Sequence, residues 1–505
     1  MQNVQGQHVN DSEKNPVLAA IDLGSNSFHL IITRIEHHEL KPIERIGEKV
    51  QLARGLHNGV LDDDAINRGL DCLRRFKQAI DAEQPNLVRI VGTNSLRAAK
   101  NARAFTREAK KIFGQSIEII SGLEEARLVY LGVAHTLADD EQARLVIDMG
   151  GGSTEFIVGQ RFEPKNLESL YMGCVSYSAR FFSGGKISDK CFKQAYHAAS
   201  LELIPIQAQF TQKRWHDCIG SSGTFKAIDA IITANGWSDE GITLEALQTL
   251  KATLLSFNTS DDINLPGLKD SRKNLIVAGT AIALAAFEVL GISTMRYSHG
   301  ALREGVIYDL MGRLEHEDVR ERSIAALVTR YGINDSKSAR IEEHGLALFK
   351  QLKKTWRLNN DAKQQLQWAI RLHEIGLSIA HAQFHRHGEY LIANSDIPGF
   401  SKLDQQIVAT LVRCHRRKIP LDLVEEMQAD GHEYFLKLII IMRLAILFKY
   451  LGDDELLPVI KASSTGEAIT LIIDPDWLEN HPLMYAELLS QQAYLHSANI
   501  ELTIS

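Results

Sequence analysis

Two stretches of this chain carry one arrangement. VLAAIDLGSNSFHLIITR, residues 17–34, and LVIDMGGGSTEFIVG, residues 145–159, each set an acid and a glycine- and hydroxyl-rich turn between apolar runs. Aligned, they read D-x-G-x-x-S twice, as Asp22, Gly24, Ser27 and as Asp148, Gly150, Ser153, 126 residues apart. An interval of that length is duplication at domain scale, not a short solenoid repeat. It predicts two α/β lobes that open with the same hairpin, with a ligand cleft between them.

A plain hairpin needs no such turn. Glycine lets backbone approach a ligand without a Cβ in the way, and successive N–H groups in a turn form an anion-binding concavity. Ser25, Asn26 and Ser27 in one copy, and Gly150, Gly151, Gly152, Ser153 and Thr154 in the other, supply convergent donors of the kind phosphate uses best. Acids beside phosphate would repel it unless Asp22, Asp148 and Glu155 face a divalent cation, and magnesium is commonly held by one or two carboxylates with phosphate oxygens and water. Capped glycine-rich hairpins would explain one copy equally well; the second copy weighs against them.

The remaining pattern sets the expected organisation. The polar stretch 1–16 lacks an apolar signal core and reads as a loose tail. Alternating strand-like and helix-like segments give lobes over 17–137 and 138–312, a helical region over 313–450, and a small α+β domain over 451–505. A chain of 505 residues agrees with several domains. The net charge of −7 argues against broad nucleic-acid binding, so an anionic ligand must be held by local basic groups. Five cysteines without a C-x-x-C pair fit reduced thiols of a cytoplasmic protein. The apolar run 275–287 falls short of a membrane span and the run from Leu436 is broken by charges, so both read as core helices and integral membrane contact is not expected.

Other candidates lie outside the paired turns. NLVRIVGTNSLRAA reads as strand, turn and helix start, with Thr93, Asn94 and Ser95 in the phosphate-binding set and Arg97 as a bidentate phosphate clamp. In SGLEEARL, Glu124 and Glu125 compete as the catalytic acid, and one helical step separates them by about 100°. Lys100, Arg103, Arg107, Lys110 and Lys111 form a basic stripe that reads first as a solvated face. His385, Arg386, His387, Arg413, Arg416 and Arg417 are candidate contacts for a long anionic substrate, helix caps or dimer contacts. Neither G-x-x-x-x-G-K-[ST] nor H-E-x-x-H occurs.

The paired turns resemble the phosphate loops of the actin, sugar-kinase and heat-shock ATPase superfamily. More narrowly, DLGSNSFHL, VGTNSLRAA, EIISGLEEARL, VIDMGGGSTE, MGCVSY, GSSGT and GALREGV together resemble the exopolyphosphatase and guanosine pentaphosphate phosphohydrolase (Ppx/GppA) family. The resemblance implies duplicated actin-like lobes followed by a helical, degenerate His-Asp-like domain, in which the doublet here is His373-Glu374. It implies hydrolysis of a terminal phosphoanhydride, with Glu125 positioning or deprotonating water. Asp148 and Glu155, with Asp22, match the magnesium-associated acids; Gly150, Ser153, Asn26 and Ser27 match phosphate-loop positions. A monovalent cation is left open, a homodimer is expected, and peripheral membrane association is left open. VGTNSLR, DMGGGSTE and HRHGEYLI look closer to the exopolyphosphatase branch, with inorganic polyphosphate as substrate. Guanosine pentaphosphate is the alternative substrate, and an actin-like ATP-binding switch or a sugar kinase are the alternatives of other classes.

Overall fold

The computed structural model describes residues 15–36, 39–137, 141–314, 318–429, 432–451, 458–466 and 468–505. The tail expected over 1–16 lies, up to residue 14, outside the described residues. The chain forms two compact units that meet in sequence at Asp318 and Val319.

The first unit holds both lobes. Strands β1 (Val17–Leu23), β2 (Ser27–Glu36) and β3 (Glu39–Lys49) form an antiparallel meander, and β1 pairs in parallel with β4 (Leu87–Gly92), which pairs with β5 (Glu118–Ile119). The sheet order is therefore β3-β2-β1-β4-β5. The second lobe repeats it. Strands β6 (Ala143–Met149), β7 (Thr154–Gln160) and β8 (Glu163–Leu170) form the meander and β6 pairs in parallel with β9 (Asp217–Ser221). With β10 (Ile242–Thr243) and β11 (Thr294–Tyr297) the order is β8-β7-β6-β9-β11-β10. The duplication legible in sequence is thus a duplication of topology and register: Asp22 lies opposite His29, as Asp148 lies opposite Glu155.

Helix α1 (Asp63–Glu83) starts where the Asp62 carboxylate accepts the Ala65 N–H at 2.7 Å, and Asp63 and Asp64 complement the helix dipole. Helix α2 (Asn94–Ala98) is short; α3 (Ala102–Phe113) buries Ala102, Phe105 and Ala109 and leaves its basic stripe outward. Phe28, Phe76 and Phe105 centre the first-lobe core. Helix α4 (Gly122–Ala134) is capped by Ser121, whose hydroxyl accepts the Glu124 N–H at 3.1 Å. Helix α5 (Ser222–Ala234) follows β9, and α6 (Lys273–Leu290), long and apolar enough to cross a membrane by composition, is packed into the second-lobe core.

Helix α7 (Leu302–Leu314) crosses α4, and Val91, Val129, Val146, Ile219, Val306 and Ile307 bring both sheets and both helices into one core. At the crossing the helices touch through backbone. A Cβ on Gly132 would stand 2.1 Å from the Ala301 carbonyl oxygen, and one on Gly305 would stand 1.8 Å from that of Leu128. A buried ionic cluster lies beside it: Arg89 donates to Asp309 at 2.8 Å and to Glu118 at 3.0 Å, Arg127 holds Glu124 through two bonds and also reaches Asp309, and Arg313 donates to Asp309 at 3.0 Å.

The second unit is helical, with a three-stranded sheet of β12 (Lys461–Thr465), β13 (Ala468–Ile472) and β14 (Glu501–Ile504). The hairpin expected around Thr465 and Gly466 is present. The boundary expected at residue 450 is corrected: Ile469, Leu471 and Leu502 share one core with Ile407, Ile441 and Phe448, so the sheet is part of the helical unit and not a separate domain.

Candidate active site

The twin turns face each other. Residues 24–27, after β1, and 150–153, after β6, line one cavity of about 320 Å³ with Asp22, Thr93, Asn94, Glu125 and Asp148. The second turn also packs tightly on the start of α2: a Cβ on Gly152 would stand 2.2 Å from Asn94 Oδ1. Asn94 Nδ2, buried without a hydrogen-bond partner, remains as a donor among these turns.

The cavity floor is acidic. Asp22 and Asp148 each keep an Oδ1 sealed from solvent with no hydrogen-bond partner. Burial, then Glu125, raise Asp148 to about 7, partly offset by the Ser221 hydroxyl. Asp22 is pushed well above the usual carboxylate range by burial, then by Glu125, with Arg303 opposing. Like charges this close are costly unless a proton or a cation relieves them. Glu125 is raised by burial and pulled down by Arg97, whose Nη1 lies 3.0 Å from its Oε2.

The geometry decides between the adjacent acids. Glu124 is held bidentately by Arg127, at 2.7 and 2.8 Å, within the buried ionic cluster. Glu125, one step round the helix, lines the cavity. Glu124 is structural and Glu125 is the acid at the site.

Four expectations are corrected. Arg97, expected as a phosphate clamp, is outside the cavity lining: its guanidinium is engaged by Glu125 and the Ile120 carbonyl. Thr154 lies behind the turn, donating to the Met172 carbonyl. Ser95 is buried away from the cavity wall. Glu155 stands beside Asp148 on the paired strand but outside the cavity lining, with Oε1 accepting from Ser169 at 2.9 Å and Oε2 buried without a hydrogen-bond partner; burial, then Glu125 and Asp148, raise its carboxyl well above the usual range. The remaining turn residues expected at the site (Ser25, Asn26, Ser27, Thr93, Asn94, Gly150, Gly151, Gly152 and Ser153) all line the cavity.

The sequence reading missed part of the cavity lining: His29, Lys226, Arg272, Tyr297, His299 and Arg303. His29 was reachable through the repeat, because it stands seven residues after Asp22, as Glu155 stands seven after Asp148. Its ring is lowered to about 4 by burial, then by Arg303 and Arg272, so it is neutral and accepts from Arg303 at 3.4 Å. The GSSGT turn is tied to the floor by Ser222 and Thr224, whose hydroxyls donate to the Met149 carbonyl at 2.7 and 3.3 Å. Ser222 adopts φ 83°, a conformation L-residues rarely take and one that clusters at functional sites.

In the second unit, α8 (Phe384–Asn394) and α9 (Lys402–Cys414) bring the expected basic residues together. His385 is buried and lowered to about 4 by burial, then by Arg413, Arg416, Arg386 and Arg417, while His387 follows on α8. Arg416 lies over Phe384, and Arg413 pairs with Glu389 at 3.2 Å. His373 lies 3.7 Å from Glu374. Among the described residues no group of three or more His, Cys, Asp or Glu is disposed to hold a metal ion by itself.

Comparison with known proteins agrees with this division. A model described as the Ppx/GppA phosphatase family matches residues 31–314, and one described as Ppx/GppA phosphatase, domain III, matches 319–492. The chain is 37% identical over 480 residues to a guanosine-5'-triphosphate,3'-diphosphate pyrophosphatase of Pseudoalteromonas translucida (strain TAC 125), covering 94% of this chain and 95% of that protein. Among solved structures, the Aquifex aeolicus member of the Ppx/GppA family is 27% identical at a TM-score of 0.51, over 59% of this chain and 98% of that one. An exopolyphosphatase from Cytophaga hutchinsonii, 24% identical over 58% of this chain and 97% of its own, has a TM-score of 0.54 and bears on the fold alone. With its duplicated actin-like lobes, facing turns and helical second unit, the chain belongs to the Ppx/GppA phosphatase family.

Proposed function

We propose that the protein hydrolyses the terminal phosphoanhydride of inorganic polyphosphate, releasing orthophosphate, with Glu125 as the residue that positions and deprotonates the attacking water. The placement of Glu125 at the floor of a cavity walled by both glycine turns carries this reading. A phosphoanhydride already has a good leaving group, so positioning and charge neutralisation suffice. Backbone N–H groups of the two turns would hold the terminal phosphate, and the Arg97 contact would keep Glu125 ionised.

Magnesium is part of the proposal. The unpartnered oxygens of Asp22 and Asp148 suit a hard cation whose other ligands are phosphate and water, in keeping with a site that has no three-ligand cage among the described residues. When bound it supplies neutralisation of phosphate charge.

Polyphosphate is favoured by the basic cluster of Arg386, Arg413, Arg416 and Arg417 around His385, which suits a long polyanion. Guanosine pentaphosphate is the second reading, supported by the relative from Pseudoalteromonas. Phosphate release from polyphosphate of defined lengths, guanosine pentaphosphate and ATP, with and without magnesium, tests both. A kcat/KM for guanosine pentaphosphate about tenfold above that for long polyphosphate would replace the first reading by the second.

A further inference from the structure

Beside its acids, the cavity lining holds a cation to which the proposed hydrolysis assigns no role. Lys226 lines the cavity from α5 and is exposed, so it stands towards the open side. Among the described residues it has no ion pair and no hydrogen bond. An acid is at hand: Asp229 is one turn along the same helix, at the i,i+3 spacing that commonly pairs charges. Yet Asp229 forms no ion pair with Lys226; burial raises the Asp229 carboxyl, and the nearby His299 ring opposes that rise. Lys226 is thereby left without a partner on its own helix. Its helix is not free to drift, because Ser222 and Thr224 bond the Met149 carbonyl next to Asp148.

The other cations of the lining are placed differently. Arg303 is committed to Glu304 at 2.9 Å and to His29. The guanidinium of Arg272 lies against Gly223, where a Cβ would stand 1.9 Å from its Nη2. A planar guanidinium suits one fixed phosphate, whereas lysine is a compact charge on a flexible four-carbon stem. Such a charge can follow successive phosphates as the chain advances.

The geometry points to Lys226 as a specificity-determining residue that holds the phosphate chain on the leaving-group side of the scissile bond. The assignment deepens the proposed function and rests on it. It names the tail of the substrate, a linear polyanion of at least two further phosphate charges, as what the open side of the cavity selects.

The test uses the full chain with magnesium, with long polyphosphate and guanosine pentaphosphate as probes. Lys226→Ala should raise KM for the substrate that is turned over by about fivefold or more, with the loss falling on KM and not on kcat. Lys226→Arg should recover most of it, and Lys226→Glu should exceed Ala. The dependence of KM on ionic strength should flatten in Lys226→Ala, since one screened contact is gone. An unchanged KM in the Ala and Glu variants, or a loss confined to kcat, overturns the assignment while leaving the proposed function intact. A wild-type chain that releases phosphate from neither probe overturns the proposed function, and the assignment with it.

Discussion

Arg97 Nη1 lies 3.0 Å from Glu125 Oε2 and 2.9 Å from the Ile120 carbonyl oxygen, so one guanidinium nitrogen ties the site's acid to the end of the preceding strand. Burial raises the Glu125 carboxyl and Arg97 lowers it. Arg97→Gln removes the lowering contribution, so the pKa rises and the base is ionised only at higher pH. The acid limb of the kcat profile should move upward by about one pH unit, a shift equivalent to about 1.4 kcal/mol. A pH–rate profile checks this; an unmoved limb with a raised KM would restore Arg97 as a phosphate ligand.

Glu125→Gln keeps shape and loses the base. Turnover should fall at least ~10²-fold while the thermal midpoint and KM stay near those of the wild type. Steady-state phosphate release beside a thermal melt reads both. Turnover close to normal would move the base elsewhere.

Asp148→Asn should leave the turns in place and weaken cation binding. The half-saturating magnesium concentration should rise about tenfold or more, read from phosphate release across a magnesium titration. A wild-type rate indifferent to magnesium would refute the metal assignment to Asp22 and Asp148.

Asp309 accepts from Arg89, Arg127 and Arg313 inside the first unit. Although burial raises its carboxyl, Arg127, then Arg89 and Arg313, hold it far below the usual range. Asp309→Asn leaves buried guanidinium charge uncompensated, so unfolding free energy should drop by about 3–5 kcal/mol. Urea unfolding measures it, and a drop under about 1 kcal/mol would show that the cluster contributes little.

His135 stacks on Tyr308 at 3.8 Å and on Phe162 at 4.3 Å, and burial lowers it from 6.5 to about 4. The folded ring stays neutral where the unfolded chain binds a proton. Its contribution to stability is therefore complete above pH 6.5 and is lost as pH falls towards 4. His135→Phe should flatten the stability profile across that window, measured by urea midpoints at several pH values.

Much of the fold was legible because the repeat is local in sequence. Each copy of D-x-G-x-x-S implies its own hairpin, and the identical spacing implies identical register. What the sequence could not supply was direction across the third dimension. Arg97 has the chemistry of a phosphate clamp, but its target depends on where the Ser121 cap sets α4. Tyr297, far along the chain, reaches the cavity through parallel pairing of β6, β9 and β11, and Arg272 through the start of α6. The division expected at residue 450 rested on a change in composition, whereas Ile469, Leu471 and Leu502 pack into the same core as the helices before it.

The contact of Gly132 and Gly305 bears on how the lobes are spaced around the site. At that point the two helices meet backbone to backbone, with side chains packed to either side. The separation of the two helices is thus set by the backbone itself, with the salt cluster of Arg89, Arg127 and Asp309 beside it. A methyl group at either glycine would act as a shim, fixing the gape of the cleft without touching a single catalytic atom.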